Sequence, residues 1–354
     1  MNKERLAKLL LSMENNQIDA LLVSKPENIR YLSGFTGGSD ARLLISDREN
    51  CILSDNRYRE QVTLECPGWQ FWEVKPPGYN ELRKLSQPYK RMGVESHYIT
   101  YQFFMDLQSI LDVKIVALSG LIEKLRLCKE ESELECLRTA GQIGDAVFKD
   151  ICGFLKAGQS EMQIANQIVF WLKEKGCNKE AFDTIAVSAE NAALPHGQPG
   201  KRQIKAGDML TMDFGGFYQG YAGDMTRTVV FNKPDNHFRE NYLKVLEAQQ
   251  LGVSIIKSGV PCREVDQAVR NCLKKYDLDQ YFIHSTGHGL GLEIHEQPRI
   301  SPVSEILLLE NMVVTIEPGI YIPGWGGIRI EDSVIVKSEG CELLTHSDKN
   351  LIII

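Results

Sequence analysis

The 354-residue chain is 43% hydrophobic and carries a formal net charge of −7, which allows two domains and a sizeable core. That charge, with no Lys/Arg cluster to offset it, argues against nucleic acid as a partner, and no apolar run reaches membrane-spanning length. The nine cysteines are dispersed and form no Cys-x-x-Cys, so reduced, mostly buried thiols in a cytoplasmic protein are expected.

Taken in order, the first residues, Met1 to Leu11, scatter charges among apolar positions, lack a signal-peptide core and read as an amphipathic helix. Ile18 to Val23 has the composition of a strand, Pro26 to Tyr31 of a short helix, and Ala41 to Ile45 with Cys51 to Leu53 of a strand pair. A helix is expected after Asp55, running to Val62, and a strand over Met92 to Glu95. This alternation predicts a small α/β domain over 1–122, in which no chemistry is concentrated. The charged segment Glu123 to Glu131 is the expected crossing into a second domain, 123–354.

There, Ser132-Glu133-Leu134-Glu135 has the pattern of a capping box. Leu134, Leu137, Gly141, Gly144, Phe148, Ile151 and Leu155 then mark one helical face. Ser160 and Gln163 cap a second helix, and Phe238 to Ile256 with Pro261 to Tyr276 repeat the helix pair downstream.

Each helix pair precedes a similar pattern of carboxylates. Asp213 interrupts the apolar run Met209, Leu210, Met212, Phe214, a Gly/Tyr-rich turn follows, and Asp224 precedes a second strand, Thr226 to Phe231. A lone carboxylate in a buried strand would cost several kcal/mol unless paired or metal-bound; the plain alternative is a surface hairpin. A second copy of the pattern shifts the balance. Glu317 ends the strand Met312 to Ile316, a Gly/Pro/aromatic turn follows, and Glu331 opens another strand. The duplication, with a period of roughly a hundred residues, is too long for a solenoid and predicts two similar α/β halves facing each other.

Four of the seven histidines lie in stretches that contain Gly and Pro: His196 in Leu194-Pro195-His196-Gly197, and His284, His288 and His295 in the stretch from His284 to Pro298. Singly, a histidine in such a loop is more often a turn or surface residue than a ligand. The string Gly287-x-Gly289-x-Gly291 lacks the Lys and Ser/Thr of a phosphate-binding P-loop. Together, Asp213, Asp224, Glu317, Glu331 and His288 form an oxygen-rich set suited to two divalent ions sharing bridging carboxylates. Four such carboxylates crowded together could not all ionise without cations. Arg329 shares a strand face with Glu331; it reads either as an exposed strand charge or as a guanidinium holding a ligand carboxylate.

Leu194-Pro195-His196-Gly197, Met212-Asp213-Phe214-Gly215, Gly223-Asp224-Met225-Thr226-Arg227-Thr228, Gly287-His288-Gly289-Leu290-Gly291, His295-Glu296, Ile316-Glu317-Pro318-Gly319 and Arg329-Ile330-Glu331-Asp332 resemble the motif series of the pita-bread metallopeptidases. Within them the series is similar to the prolidase and aminopeptidase P branch. Tyr31-Leu32-Ser33-Gly34-Phe35-Thr36-Gly37 resembles that branch's N-terminal domain, which methionine aminopeptidases lack.

The resemblance implies a small N-terminal creatinase/prolidase-like α/β domain followed by a pseudo-two-fold pita-bread catalytic domain. It implies two divalent metal ions per subunit, manganese first, with cobalt or zinc as alternatives. Asp213 and His288 would each belong to one metal, Asp224 and Glu331 would bridge both, and Glu317 would bind beside His288. A metal-bridging hydroxide would attack the carbonyl before proline. Glu317 would be the general acid/base, and His196 and His295 would hold the substrate and the oxyanion. His284 would contact the substrate's C-terminal side. The expected protein is a homodimeric Xaa-Pro dipeptidase acting on proline-containing peptides, with an N-terminal domain that limits substrate length. Aminopeptidase P, which releases the N-terminal residue of longer Xaa-Pro peptides, is the alternative. A non-catalytic pita-bread binding protein and a metal-free creatinase-like C–N hydrolase stand further off, because the five-ligand pattern is intact.

Overall fold

The computed structural model describes residues 3–75 and 78–354, and the chain divides into two compact units, Met1–Arg126 and Leu127–Ile354. The first unit contains α1 (Lys3–Asn15), β1 (Ala20–Val23), α2 (Pro26–Ser33), β2 (Ala41–Ser46), β3 (Asn50–Ser54), α3 (Arg59–Glu65) and β4 (Gln70–Glu73). It continues with α4 (Tyr79–Ser86), β5 (Arg91–Glu95), α5 (Tyr101–Ile110), β6 (Lys114–Leu118) and α6 (Glu123–Arg126).

Its strands form one mixed six-stranded sheet in the order β4-β3-β2-β1-β5-β6. Ala20, Leu22, Leu44, Met92 and Val94 on that sheet pack with Leu82 and Leu85 of α4 and Leu107 of α5. The expected helix after Asp55 begins as a 3-10 turn, Asn56–Tyr58, and becomes α-helical only at Arg59. Asp55 caps that turn by accepting from the Arg57 N–H at 2.8 Å. Residues 123–126, expected to open the second domain, form α6 of the first unit instead. Tyr31 donates to the Leu125 carbonyl at 3.1 Å and Arg126 donates to Asn28 Oδ1 at 2.8 Å.

The second unit opens with α7 (Glu131–Phe154), α8 (Glu161–Glu174), β7 (Lys179–Glu180) and β8 (Ile185–Ser188). Then come β9 (Met209–Phe214), β10 (Gly216–Tyr218), β11 (Tyr221–Ala222) and β12 (Met225–Val230). The second half repeats this with α9 (Asn236–Ser254), α10 (Cys262–Lys274), β13 (Gly287–Gly289), β14 (Glu296–Ile300) and β15 (Val313–Ile316). It ends with β16 (Gly319–Ile322), β17 (Gly326–Arg329), β18 (Asp332–Lys337) and β19 (Gly340–Leu343). The capping box of α7 sits on Glu130 and Glu133, not on Ser132 and Glu135 as the sequence pattern implied. The carboxylate at Glu130 does the work assigned to the serine, so the helix begins two residues earlier, at Glu131. The box at Ser160 and Gln163 opens α8 as expected.

Strands β12-β9-β8 form one sheet and β14-β13-β15-β18-β19 another. Alternate residues of the first sheet enter two different cores. Ala186, Leu210, Met212 and Phe214 meet α7 and α8, while Ile185, Val187, Met209 and Val230 meet α9 and α10. Burial on both faces explains why these strands read as continuous apolar runs. In each half the first carboxylate strand pairs antiparallel with the second: Asp213 lies opposite Thr226, and Ile316 opposite Asp332. The connection in both halves is itself a hairpin, β10–β11 in one and β16–β17 in the other. Gly215 is required in the first, since a Cβ there would lie 1.8 Å from the Gly223 carbonyl oxygen. Among the described residues no helix is long and apolar enough to cross a membrane, and all nine cysteines are unpaired, five of them buried.

Candidate metal centre

The two hairpins deliver their carboxylates to one place. Ligand atoms of Asp224, His288 and Glu331 all lie within 4.8 Å of one another. Glu317 joins them through Oε1, 3.3 Å from His288 Nε2, which is also 3.5 Å from Asp224 Oδ2. Asp213 stands on the edge of this group, where its Oδ2 accepts from Arg329 Nη2 at 2.6 Å. Its charge reaches Asp224, Glu317 and Glu331, adding to the upward pressure on each of their carboxyls.

Position follows from register. Asp224 precedes β12 and Glu331 precedes β18, each directly after its connecting hairpin. Glu317 leaves the end of β15, where its N–H donates to the Thr286 carbonyl at 2.8 Å. His288 is carried by β13 between two glycines, and Gly287 is required because a Cβ there would lie 1.8 Å from the Thr315 carbonyl oxygen.

These residues fit divalent cations on several grounds. Burial, then repulsion from Glu331, Asp213 and Glu317, holds the Asp224 carboxyl well above its usual range. Burial, then Glu317 and Asp213, does the same to Glu331. Burial, with Asp213 adding to it, pushes Glu317 up to about 8. Asp213 Oδ1 and Glu331 Oε1 are buried without a hydrogen-bond partner among the described residues, which is costly for acceptor oxygens unless a cation meets them. His288 is pushed down to about 3 by burial and by His295, and is neutral. Its Nδ1 lies 3.1 Å from the Gly289 carbonyl, which places the proton on Nδ1. The lone pair of Nε2 therefore faces two carboxylates, an arrangement that repels itself until a positive ion lies between them.

A layer of donors surrounds the cluster. Thr226 Oγ1 donates to Glu331 Oε2 at 2.6 Å and accepts from Arg329 Nε at 3.1 Å. Thr315 Oγ1 donates to Glu317 Oε1 at 3.1 Å and accepts from the His288 N–H at 3.1 Å. Arg329 is buried, and its Nη1 donates to Tyr321 Oη at 2.7 Å and to the Pro195 carbonyl at 3.3 Å. Burial opposes its charge, but Tyr321, Asp213 and Glu317 more than compensate and hold it protonated. The Tyr321 hydroxyl in turn donates to His284 Nε2 at 2.8 Å, while His284 Nδ1 donates to the Ser285 carbonyl at 2.8 Å. Burial, with Arg329 second, pushes His284 down to about 4.

The other two candidate histidines, His196 and His295, are exposed. His295 packs edge-on against His288 with ring centroids 4.4 Å apart, and burial followed by Arg299 lowers its pKa. His196 is exposed, yet its charge reaches both His284 and His295. The structure thus gathers all the sequence-derived candidates, with Asp213 and Arg329 as an ion pair at the edge. Sequence reasoning missed Thr226, Thr315 and Tyr321 as participants. The two threonines lie on strands beside candidate ligands, where an inward-facing hydroxyl is a usable signal. Nothing in the sequence singles out Tyr321 from other turn aromatics.

Residues 135–338 match the model of metallopeptidase family M24, and residues 5–128 match the creatinase/prolidase N-terminal domain. An Xaa-Pro dipeptidase of Pyrococcus furiosus is 36% identical over 99% of this chain and 100% of its own length. The solved structure of an Xaa-Pro dipeptidase from Bacillus anthracis superposes with a TM-score of 0.96 at 39% identity, covering 99% of each chain. An X-Pro aminopeptidase from Thermotoga maritima superposes with a TM-score of 0.92 at 32% identity, again over 99% of each chain.

Proposed function

Because the chain belongs to metallopeptidase family M24, we propose that it hydrolyses the peptide bond before proline, with Xaa-Pro dipeptides as the preferred substrates. The observation that carries this reading is the gathering of Asp224, Glu331, Glu317 and His288 around a neutral imidazole lone pair and an orphaned carboxylate oxygen. Two full-length relatives described as Xaa-Pro dipeptidases support the substrate class.

In this reading Asp213, Asp224, His288, Glu317 and Glu331 hold two divalent cations, manganese being favoured by the oxygen-rich donor set. When bound, the cations supply charge neutralisation, carbonyl polarisation and a lowered pKa for water. Glu317 takes the proton from the attacking water and returns it to the proline nitrogen as the C–N bond breaks. Thr315 occupies Oε1 of Glu317, leaving Oε2 to carry that proton. The proline nitrogen carries no N–H by which the substrate could be positioned, so its placement falls to the other groups of the site.

His196 and His295, both exposed, bind the substrate carbonyl and stabilise its developing negative charge. His284, held by Tyr321, faces the proline end. Arg329 fixes the Asp213 carboxylate and the Tyr321 hydroxyl at once. We further assign the protein as a homodimer, and as cytoplasmic, since nine unpaired thiols suit a reducing compartment. A second reading, aminopeptidase P, is favoured by the Thermotoga maritima neighbour. Comparing kcat/KM for Xaa-Pro dipeptides and Xaa-Pro-extended peptides tests the choice. Preference for the dipeptides is expected; preference for tripeptides and longer would move the enzyme to aminopeptidase P, and cleavage of neither class would end the proposal.

A further inference from the structure

Outside the metal cluster lies another fully buried carboxylate, Glu161, the first residue of α8. No residue of the centre described above touches it. Its Oε1 accepts from the Ser188 N–H at 2.8 Å, from Ser188 Oγ at 2.7 Å and from Asn191 Nδ2 at 3.1 Å. Its Oε2 accepts from Asn191 Nδ2 at 3.2 Å and from the Gly200 N–H at 3.0 Å. The backbone returns the grip: the N–H groups of Glu161 and Met162 donate to the carbonyls of Arg202 and Gly200, both at 3.0 Å.

Ser188 and Gly200 are the two ends of the segment that carries His196. One side chain therefore closes that loop at its base. The opposite side of the loop lies against the β16–β17 hairpin, where a Cβ on Gly327 would come within 2.0 Å of the Ala192 carbonyl oxygen. His196 itself is exposed, so packing does not fix its place; the backbone on either side does. Asp266 of α10, also fully buried, grips the other histidine segment in the same manner. It accepts from the Thr286 N–H at 3.1 Å and from Thr286 Oγ1 at 2.9 Å, between His284 and His288. Each half of the duplication thus holds its histidine segment with a carboxylate from its second helix, though at different points along that helix.

We propose that Glu161 is the positioning residue for His196, setting the substrate-binding geometry by closing the loop 188–200. This rests on the reading that His196 contacts the substrate. A carboxylate suits the task because it only accepts, and every group aimed at it donates. An amide in its place would turn an NH2 group toward the N–H of Gly200 or of Ser188 and leave buried donors unpaired. A loop displaced by about 1 Å at its tip can lose on the order of a hundredfold in rate.

The test is a double-mutant cycle on the metal-loaded protein using an Xaa-Pro dipeptide. Glu161→Gln and His196→Ala are each expected to lower kcat/KM roughly ten- to hundredfold, with metal content unchanged by elemental analysis. In the His196→Ala background, Glu161→Gln should cost no more than about twofold further, because the interaction it serves is already gone. Full multiplication of the two effects, loss of metal in Glu161→Gln, or normal kcat/KM in that variant would each overturn the proposal. If Glu161→Gln does not fold, Asn191→Ala removes two of the bonds from a partly exposed position and must show the same non-additivity. A His196→Ala enzyme with unchanged kcat/KM would overturn the substrate role of His196 itself, and the proposal with it.

Discussion

Thr226 and Glu331 hold each other twice across the two halves of the duplication: the Thr226 hydroxyl donates to Glu331 Oε2 at 2.6 Å, and the Glu331 N–H donates to the Thr226 carbonyl at 3.1 Å. The same hydroxyl accepts from Arg329 Nε. A single side chain therefore orients the Glu331 carboxylate and the guanidinium that holds Asp213. Thr226→Val keeps the shape but removes both bonds, leaving the Glu331 oxygen and an Arg329 N–H buried and unpaired. Metal affinity should fall about ten- to hundredfold and stability by about 1–3 kcal/mol. Metal retention against a competing chelator, with thermal unfolding alongside, checks this. Thr226→Ser should restore retention; a valine variant that binds metal normally would show that the contact does not orient Glu331.

Tyr321→Phe isolates the chain from Arg329 to His284. The variant loses the hydroxyl that receives from Arg329 and donates to His284, while the five proposed ligands are left unchanged. Metal content should not change, and kcat/KM should fall roughly tenfold or more as His284 becomes free to turn. An unaltered kcat/KM would remove His284 from the substrate site.

The metal-free protein should lose stability as pH rises from about 6.5 to about 8. Asp224, Glu317 and Glu331 have folded-state pKa values raised above their unfolded ones, Glu317 to about 8. The folded state thus binds more protons than the unfolded state in this window, and stability falls with pH; Glu317 alone contributes at most about 1.4 kcal/mol per unit, less as its own pKa is approached. His288 and His284 are lowered, to about 3 and about 4, so they act in the opposite sense, but only below 6.5. Bound cations ionise the carboxylates in the folded state and should flatten the slope. Thermal unfolding across this range, with and without metal, measures it; a metal-free Tm that holds or rises would show that the carboxylates are not coupled as described.

Much of this was legible in the sequence because the duplication wrote the same pattern twice. Asp213 and Glu317 end apolar strands, and Asp224 and Glu331 follow Gly-rich turns, so strand pairing alone brings each pair together. The start of α7 was misplaced because Glu130 caps it where Ser132 was expected; both carboxylates and hydroxyls can take that position, and composition does not rank them. Tyr321 and Glu161 were invisible for a different reason. Their roles depend on contacts with His284 and Ser188, far away in the chain, and no local periodicity encodes such partners. The division after Arg126 rests likewise on distant contacts, those of Leu125 and Arg126 with Tyr31 and Asn28.

Glu317→Gln removes the charge and the proposed proton carrier while nearly preserving shape. With both functions compromised, kcat should drop on the order of a thousandfold or more. The folded structure should persist, since the amide relieves the repulsion that raises this carboxyl. Turnover close to that of the parent would remove Glu317 from the chemistry.

The central claim, that this cluster is a metal centre on which the peptidase activity depends, is tested most directly by following activity against metal content. The protein is stripped with chelator, its residual metal is measured by elemental analysis, and manganese is returned stepwise while Xaa-Pro hydrolysis is assayed. No activity is expected in the stripped protein, with recovery that saturates at two equivalents per chain. Full turnover after exhaustive chelation, with no metal bound, would contradict the claim.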